Sequence, residues 1–117
     1  MLALDVNGVS RDAAVVAAYV ADPLNFHGKT PARLASELLS AMLRITGEAG
    51  KISLPLLVVQ GGQDRLVDPA GARMLYDSAI SAHKTLKIYD ALFHEIFNEP
   101  EREVVLGDVA GWLTERV

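Results

Sequence analysis

The chain contains no cysteine, which excludes disulfides, thiolate metal sites and a cysteine nucleophile. Nor is there an excess of positive charge. Eleven basic residues stand against 15 acidic ones, a formal net charge of -4, so no basic stripe is offered to nucleic acid. No apolar run approaches the roughly 18 residues of a membrane span, and Met1-Leu2-Ala3-Leu4-Asp5 lacks both the basic flank and the apolar length of a signal peptide. Membrane contact is therefore expected only at the surface, and a cytoplasmic setting is the default. Internal repeats and low-complexity tracts are missing too. Apolar side chains, by contrast, make up 50% of the 117 residues, more than a domain of this size easily covers.

The first fifty residues read as helix. Ser10 is placed to cap a helix from Arg11 to Ala21, with Val15, Ala18 and Tyr19 on one face, before Pro23, Asn25 and Gly28 break the pattern. A second helix is expected to open with Thr30 as N-cap and Pro31 at its first position. Leu34, Leu38, Met42 and Ile45 recur along one face of it until Gly47 and Gly50, a face that reads first as core. Two helices ahead of any strand fit an excursion from a layered core, such as a lid. The turn from Gly47 to Lys51 is the one candidate boundary, dividing a helical cap portion (1–50) from a core portion (51–117).

Strands follow. Leu56-Leu57-Val58-Val59 is continuously apolar, as suits a strand covered on both faces inside a parallel sheet. From Thr85 to Tyr89 the pattern alternates, Leu86 and Ile88 against Thr85, Lys87 and Tyr89, as near a sheet's edge. Between them Asp68 caps a helix opened by Pro69, with Ala72, Leu75, Tyr76 and Ala79 turned inward. That is a βαβ unit. A last helix from Glu101 to Arg116 carries Val105, Leu106, Val109, Trp112 and Leu113 as its packing stripe. A two-stranded parallel sheet leaves one edge of the apolar strand without partners, and an unpaired buried backbone group costs about 1 to 3 kcal/mol. The expectation is a C-terminal portion of a larger α/β enzyme, with Met1 an internal methionine or an imposed start. The rest of the sheet, or self-association in its place, would supply the missing neighbour.

Both strands of such a unit end at the same side of the sheet, where open α/β folds place their sites. The loop after the first carries Asp64, and the loop after the second carries His94. A carboxylate and an imidazole so placed are two members of a triad: the imidazole takes the proton of a hydroxyl, and the carboxylate fixes its tautomer. The third member is missing. None of Ser10, Ser36, Ser40, Ser53, Ser78 and Ser81 lies on a strand-to-helix turn of the needed kind. Plainer readings stand beside this one. Asp64 after Gly61-Gly62 can be a simple turn residue. Asp68 is an N-cap first, His27 and His83 read as solvated, and Asp90 reads as surface. Glu95 and Glu99 beside His94 make a weak metal set without a second histidine. No cofactor is expected.

The segments Leu54-Pro55-Leu56-Leu57-Val58-Val59-Gln60-Gly61-Gly62-Gln63-Asp64-Arg65-Leu66-Val67, Lys84-Thr85-Leu86-Lys87-Ile88-Tyr89 and Phe93-His94-Glu95-Ile96-Phe97-Asn98-Glu99-Pro100 resemble the end of an α/β-hydrolase of the monoacylglycerol lipase or lysophospholipase type. The likeness extends to the cap-like part, where Asp22-Pro23-Leu24 precedes the Thr30 helix. It implies the last βαβα of a mainly parallel sheet behind part of a helical cap. It also implies a serine hydrolase in which Asp64 and His94 serve a Ser of a Gly-x-Ser-x-Gly turn earlier in the chain. The implied substrate is a lipid ester, such as a monoacylglycerol. Two alternatives stay open: an α/β-hydrolase with another nucleophile, such as an epoxide or haloalkane hydrolase, and a non-catalytic interaction module.

Overall fold

Four apolar residues in succession, two of them β-branched, open the strand β1 (Leu56–Gly61), and β2 (Lys84–Tyr89) runs parallel beside it. Leu56 stands opposite Lys84, and the register holds to Gly61 opposite Tyr89. Parallel strands need a crossover, and the helix α3 (Ala70–Ser78) supplies it. The computed structural model describes residues 4–116, among which the sheet has these two strands. Met1, expected to be an internal or imposed start, lies outside the described residues. The far edge of β1 has no strand beside it within them.

Ahead of the sheet come a 3-10 turn at Val6–Gly8, helix α1 (Ala13–Ala21), helix α2 (Ala32–Glu48) and a second 3-10 turn at Ala49–Lys51. After it come a 3-10 turn at Ile96–Asn98 and helix α4 (Arg102–Thr114). Pro69 stands at the N-cap of α3, one residue beyond the expected Asp68, whose Oδ1 still accepts the Ala70 N–H at 2.9 Å. Three other helix ends differ from expectation. Asp12, not Ser10, caps α1, accepting the Ala14 N–H at 2.9 Å; both residue types cap well, and Ser10 is buried on other partners. Pro31 is the N-cap of α2, because its ψ of 143° is extended and its carbonyl takes the first helical bond from Ala35. Gly47 does not end that helix. No glycine adopts a positive φ among the described residues, so α2 passes through Gly47 and tightens into the 3-10 turn instead of closing on a left-handed cap.

The core is small. Leu92, Ile96 and the fully buried Val105 form it, with Val59 and Tyr89 packed against them. Of the stripe expected on α4, Val105 is buried and Val109 and Trp112 half-buried, while Leu106 and Leu113 are exposed. Polar contacts hold α4 to β2. The Trp112 indole donates to Thr85 Oγ1 at 3.1 Å and the Tyr89 hydroxyl to Asp108 Oδ2 at 2.9 Å, while Lys87 pairs with the same Asp108. Burial and the Asp108 carboxylate push the Tyr89 phenol up to about 12. The α2 stripe is not core among the described residues: Leu34, Leu38, Met42 and Ile45 are each at least half exposed. No described helix is long and apolar enough to cross a membrane.

Candidate active site

Parallel pairing carries the ends of β1 and β2 to one side of the sheet, and there the two loops lie in contact. The Gly62 N–H donates to the Tyr89 carbonyl at 2.8 Å and the Gln63 N–H to the Leu92 carbonyl at 3.0 Å. This closeness needs glycine. A Cβ on Gly61 would stand 2.0 Å from the Phe93 carbonyl oxygen, and one on Gly62 would stand 2.8 Å from the Asp90 Cα. Gly61-Gly62 is more than a flexible turn signal: without side chains there, backbone meets backbone and the acid loop is pressed on the imidazole loop.

Asp64 is brought within hydrogen-bond reach of His94, Oδ2 to Nδ1 at 2.8 Å. The carboxylate side chain is 1% exposed and the imidazole 38%. Every lone-pair direction of Asp64 is used: Oδ1 accepts the Leu66 and Val67 N–H groups at 2.8 and 3.0 Å, and Oδ2 accepts the Gln60 amide at 2.7 Å besides the imidazole. Burial alone would push this carboxyl up. The Val67 N–H, the His94 ring and the Leu66 N–H outweigh it and hold Asp64 below the ordinary carboxylate value of 3.8. An ionised acceptor at Nδ1 fixes the proton on that nitrogen and leaves Nε2, across the ring, with its lone pair. Such a pair can take a proton at Nε2 and stabilise the imidazolium that results.

The N-terminal segment closes over these loops. The His94 and Glu95 N–H groups donate to the Gly8 and Val9 carbonyls at 3.4 and 2.9 Å, and Leu66 packs against Gly8. Arg65 donates to the Asn7 carbonyl at 3.0 Å while its guanidinium lies 5.2 Å from the centre of the Phe93 ring. Ser10 accepts the Asp12 N–H at 3.0 Å and donates to the Asn98 carbonyl at 3.1 Å. Glu99 is bound to Arg11, and Glu95 accepts from Asn98, and among the described residues neither joins the imidazole in a metal-ligand set. His27 lies edge-on to Tyr19, and His83 and Asp90 are exposed. Gln60, Arg11 and Glu99 are site-building residues that sequence reading missed. Gln60 reads as the end of a strand, Arg11 as the start of a helix and Glu99 as one of a weak metal set, and nothing in the sequence joins the last two across 88 positions.

A family model described as serine aminopeptidase, S33, matches residues 2–101. The chain belongs to that family. Within it, the chain is 46% identical over 97% of its length to a monoacylglycerol lipase of Mycolicibacterium smegmatis, covering 41% of that protein. The monoacylglycerol lipase of Paleococcus ferrophilus superposes with a TM-score of 0.91 at 29% identity, over 99% of this chain and 46% of that one. A soluble variant of the monoglyceride lipase of Saccharomyces cerevisiae, solved with a substrate analog, gives 0.82 at 25% identity, over 97% and 42%. The fold is thus part of an α/β-hydrolase of the monoacylglycerol lipase type, and the chain spans about two fifths of the length of these relatives.

Proposed function

We propose that Asp64 and His94 are the orienting carboxylate and the general base of a serine hydrolase whose nucleophile is carried outside these 117 residues. The reaction is hydrolysis of a carboxylic ester of the monoacylglycerol or lysophospholipid kind. Helices α1 and α2, within the first fifty residues, are part of a helical cap, and the βαβα portion after residue 50 is the closing part of the core. In the first half-reaction His94 Nε2 takes the proton of the serine hydroxyl as its oxygen attacks the ester carbonyl, and the imidazolium then protonates the departing alcohol. In the second, Nε2 takes a proton from the water that attacks the acyl-enzyme, and the imidazolium gives it to the serine oxygen as the acyl–oxygen bond breaks and the acid leaves. Asp64 stays ionised throughout, since four hydrogen bonds favour its charged form, and it stabilises the imidazolium without accepting its proton.

The observation that carries this reading is the Asp64–His94 contact of 2.8 Å, with the carboxylate buried and the imidazole at the surface. Relatives named as monoacylglycerol or monoglyceride lipases favour an ester over an epoxide or haloalkane. A base without a nucleophile forms no acyl-enzyme. The chain alone should therefore neither turn over a short-chain ester nor be labelled by a serine-directed phosphonate. A longer protein containing a Gly-x-Ser-x-Gly turn should do both. Stoichiometric labelling of the 117-residue chain would overturn the assignment.

A further inference from the structure

Glu99 is a fully buried carboxylate in the loop that follows His94, and neither of the two acid-base residues bonds to its side chain. Its three donors all come from the segments that frame His94. Oε1 accepts the Arg11 N–H at 2.6 Å, and Oε2 accepts the Arg11 Nε–H at 2.6 Å and the Phe93 N–H at 3.1 Å. Phe93 is the residue immediately before the imidazole. Immediately beyond it, the His94 and Glu95 N–H groups are held by the Gly8 and Val9 carbonyls. The three successive N–H groups of residues 93–95 are therefore all held, the first by Glu99, which Arg11 binds in turn, and the other two by Gly8 and Val9.

We propose that the Arg11–Glu99 pair is a positioning device for His94, fixing the backbone on which the imidazole hangs and so the place of Nε2. The inference rests on reading His94 as the general base. The imidazole is part-exposed, so its packing does little to locate it, and the hydrogen bond to Asp64 fixes the ring only if the Cα is already in place. A buried ion pair is weak as a source of stability, because desolvation offsets most of the attraction, but it is strict about geometry. Arg11 adds direction: its backbone and side chain both bind the carboxylate, and its far nitrogen reaches Glu101, so the guanidinium is oriented from two sides. Burial pushes Glu99 up, and the hydrogen bonds from Arg11 and Phe93 outweigh it, so the clasp is anionic at neutral pH.

The test compares Glu99→Gln, Arg11→Lys, Asp64→Asn and Val58→Ala, the last a cavity in β1 away from the clasp. Two signals are read. One is the hydrogen-bonded Nδ1 proton of His94, seen by NMR in the 117-residue chain. The other is kcat and KM on a short-chain ester, measured in a longer protein that contains these residues and the serine. A displacement of about 1 Å at a catalytic group lowers turnover about 100-fold. Glu99→Gln should accordingly lower kcat by roughly 10 to 100-fold with KM nearly unchanged, and should shift or broaden the Nδ1 proton. Arg11→Lys, which keeps the charge and loses the planar fork, should do the same to a smaller degree. If Glu99→Gln does not fold, Arg11→Lys decides. An unchanged kcat and resonance in a folded clasp variant would overturn the proposal, as would an equal change in Val58→Ala at matched melting temperature. If Asp64→Asn alone left both signals intact, the fault would lie with the general-base reading instead.

Discussion

Replacing Gly61 with alanine is the most demanding test of how the two loops meet. The new Cβ would sit 2.0 Å from the Phe93 carbonyl oxygen and 2.6 Å from that of Leu92, both backbone atoms that no rotamer change can move aside. Carbon and carbonyl oxygen in contact lie roughly 3.3 to 3.6 Å apart, so the 92–93 segment must retreat by about 1.3 Å or more. The contacts from Gly62 to Tyr89 and from Gln63 to Leu92 would stretch with it. Overpacking costs about 1 to 3 kcal/mol, and two weakened hydrogen bonds add about 1 kcal/mol each. The sum, about 3 to 5 kcal/mol, is a large part of the 5 to 15 kcal/mol typical of a domain.

Thermal unfolding followed by circular dichroism should show a fall of roughly 10 °C or more for Gly61→Ala. Gly107→Ala is the control: that glycine lies on the exposed side of α4 with nothing within 4 Å of the added carbon, and the change should stabilise by about 0.5 to 1 kcal/mol. In a serine-containing protein Gly61→Ala should also lower turnover about 100-fold, because the retreat carries His94 away from Asp64. Equal melting temperatures for Gly61→Ala and wild type would refute the close approach from which the site has been built.

Three further outcomes are expected. In a protein that supplies the serine, Asp64→Asn should reduce kcat about 10⁴-fold with substrate binding largely kept, and His94→Ala should be at least as severe; undiminished Asp64→Asn activity would end the triad assignment. Asp64 and Glu99 both titrate below their ordinary values of 3.8 and 4.5, so the folded state binds fewer protons than the unfolded one in that range. Their stabilisation is complete above the ordinary values and is lost as pH falls through the lowered ones, so melting temperature should drop steeply on acidification and less steeply in Glu99→Gln. Finally, the bare edge of β1 and the exposed apolar face of α2 should make the chain self-associate, read as a concentration-dependent mass in light scattering. A cooperative monomer at high concentration would show that the edge is less adhesive than its apolar sequence implies.

The βαβ unit was legible because three independent local signals agree there. Leu56-Leu57-Val58-Val59 is too short and too apolar for a surface helix, Asp68-Pro69 announces a helix start, and Leu86 and Ile88 alternate with polar neighbours. Topology alone then brings Asp64 and His94 to one side. Helix ends were harder to place: Ser10 and Asp12 are equally good caps two residues apart, and only the burial of Ser10 against residue 98 separates them. The exposure of the α2 face was not legible either, because an amphipathic pattern states that a face is apolar and says nothing of what covers it.

The residues that complete the site were hidden for a different reason. Gln60 and Glu99 act through side-chain contacts that no periodicity encodes, and Arg11 meets its partner across 88 positions. Glu99, three residues before Arg102 and five after His94, suggests in sequence at most a weak metal set with that histidine, and not a partner for Arg11. Its meaning appears only when the 5–11 segment is laid across the 93–99 loop. That segment was assigned by sequence to the cap portion, yet its hydrogen bonds go to the imidazole loop and to the arginine beside the acid. Those contacts account for how the acid-base pair stands at 2.8 Å among the described residues without a nucleophile to align it. Asp64 is fixed by two N–H groups of its own loop and by Gln60, and the backbone under His94 is fixed by residues 8–11 and Glu99. An imidazole and carboxylate so held need only a hydroxyl delivered to Nε2, so on the proposed reading this part of the fold is organised for proton transfer before the serine arrives.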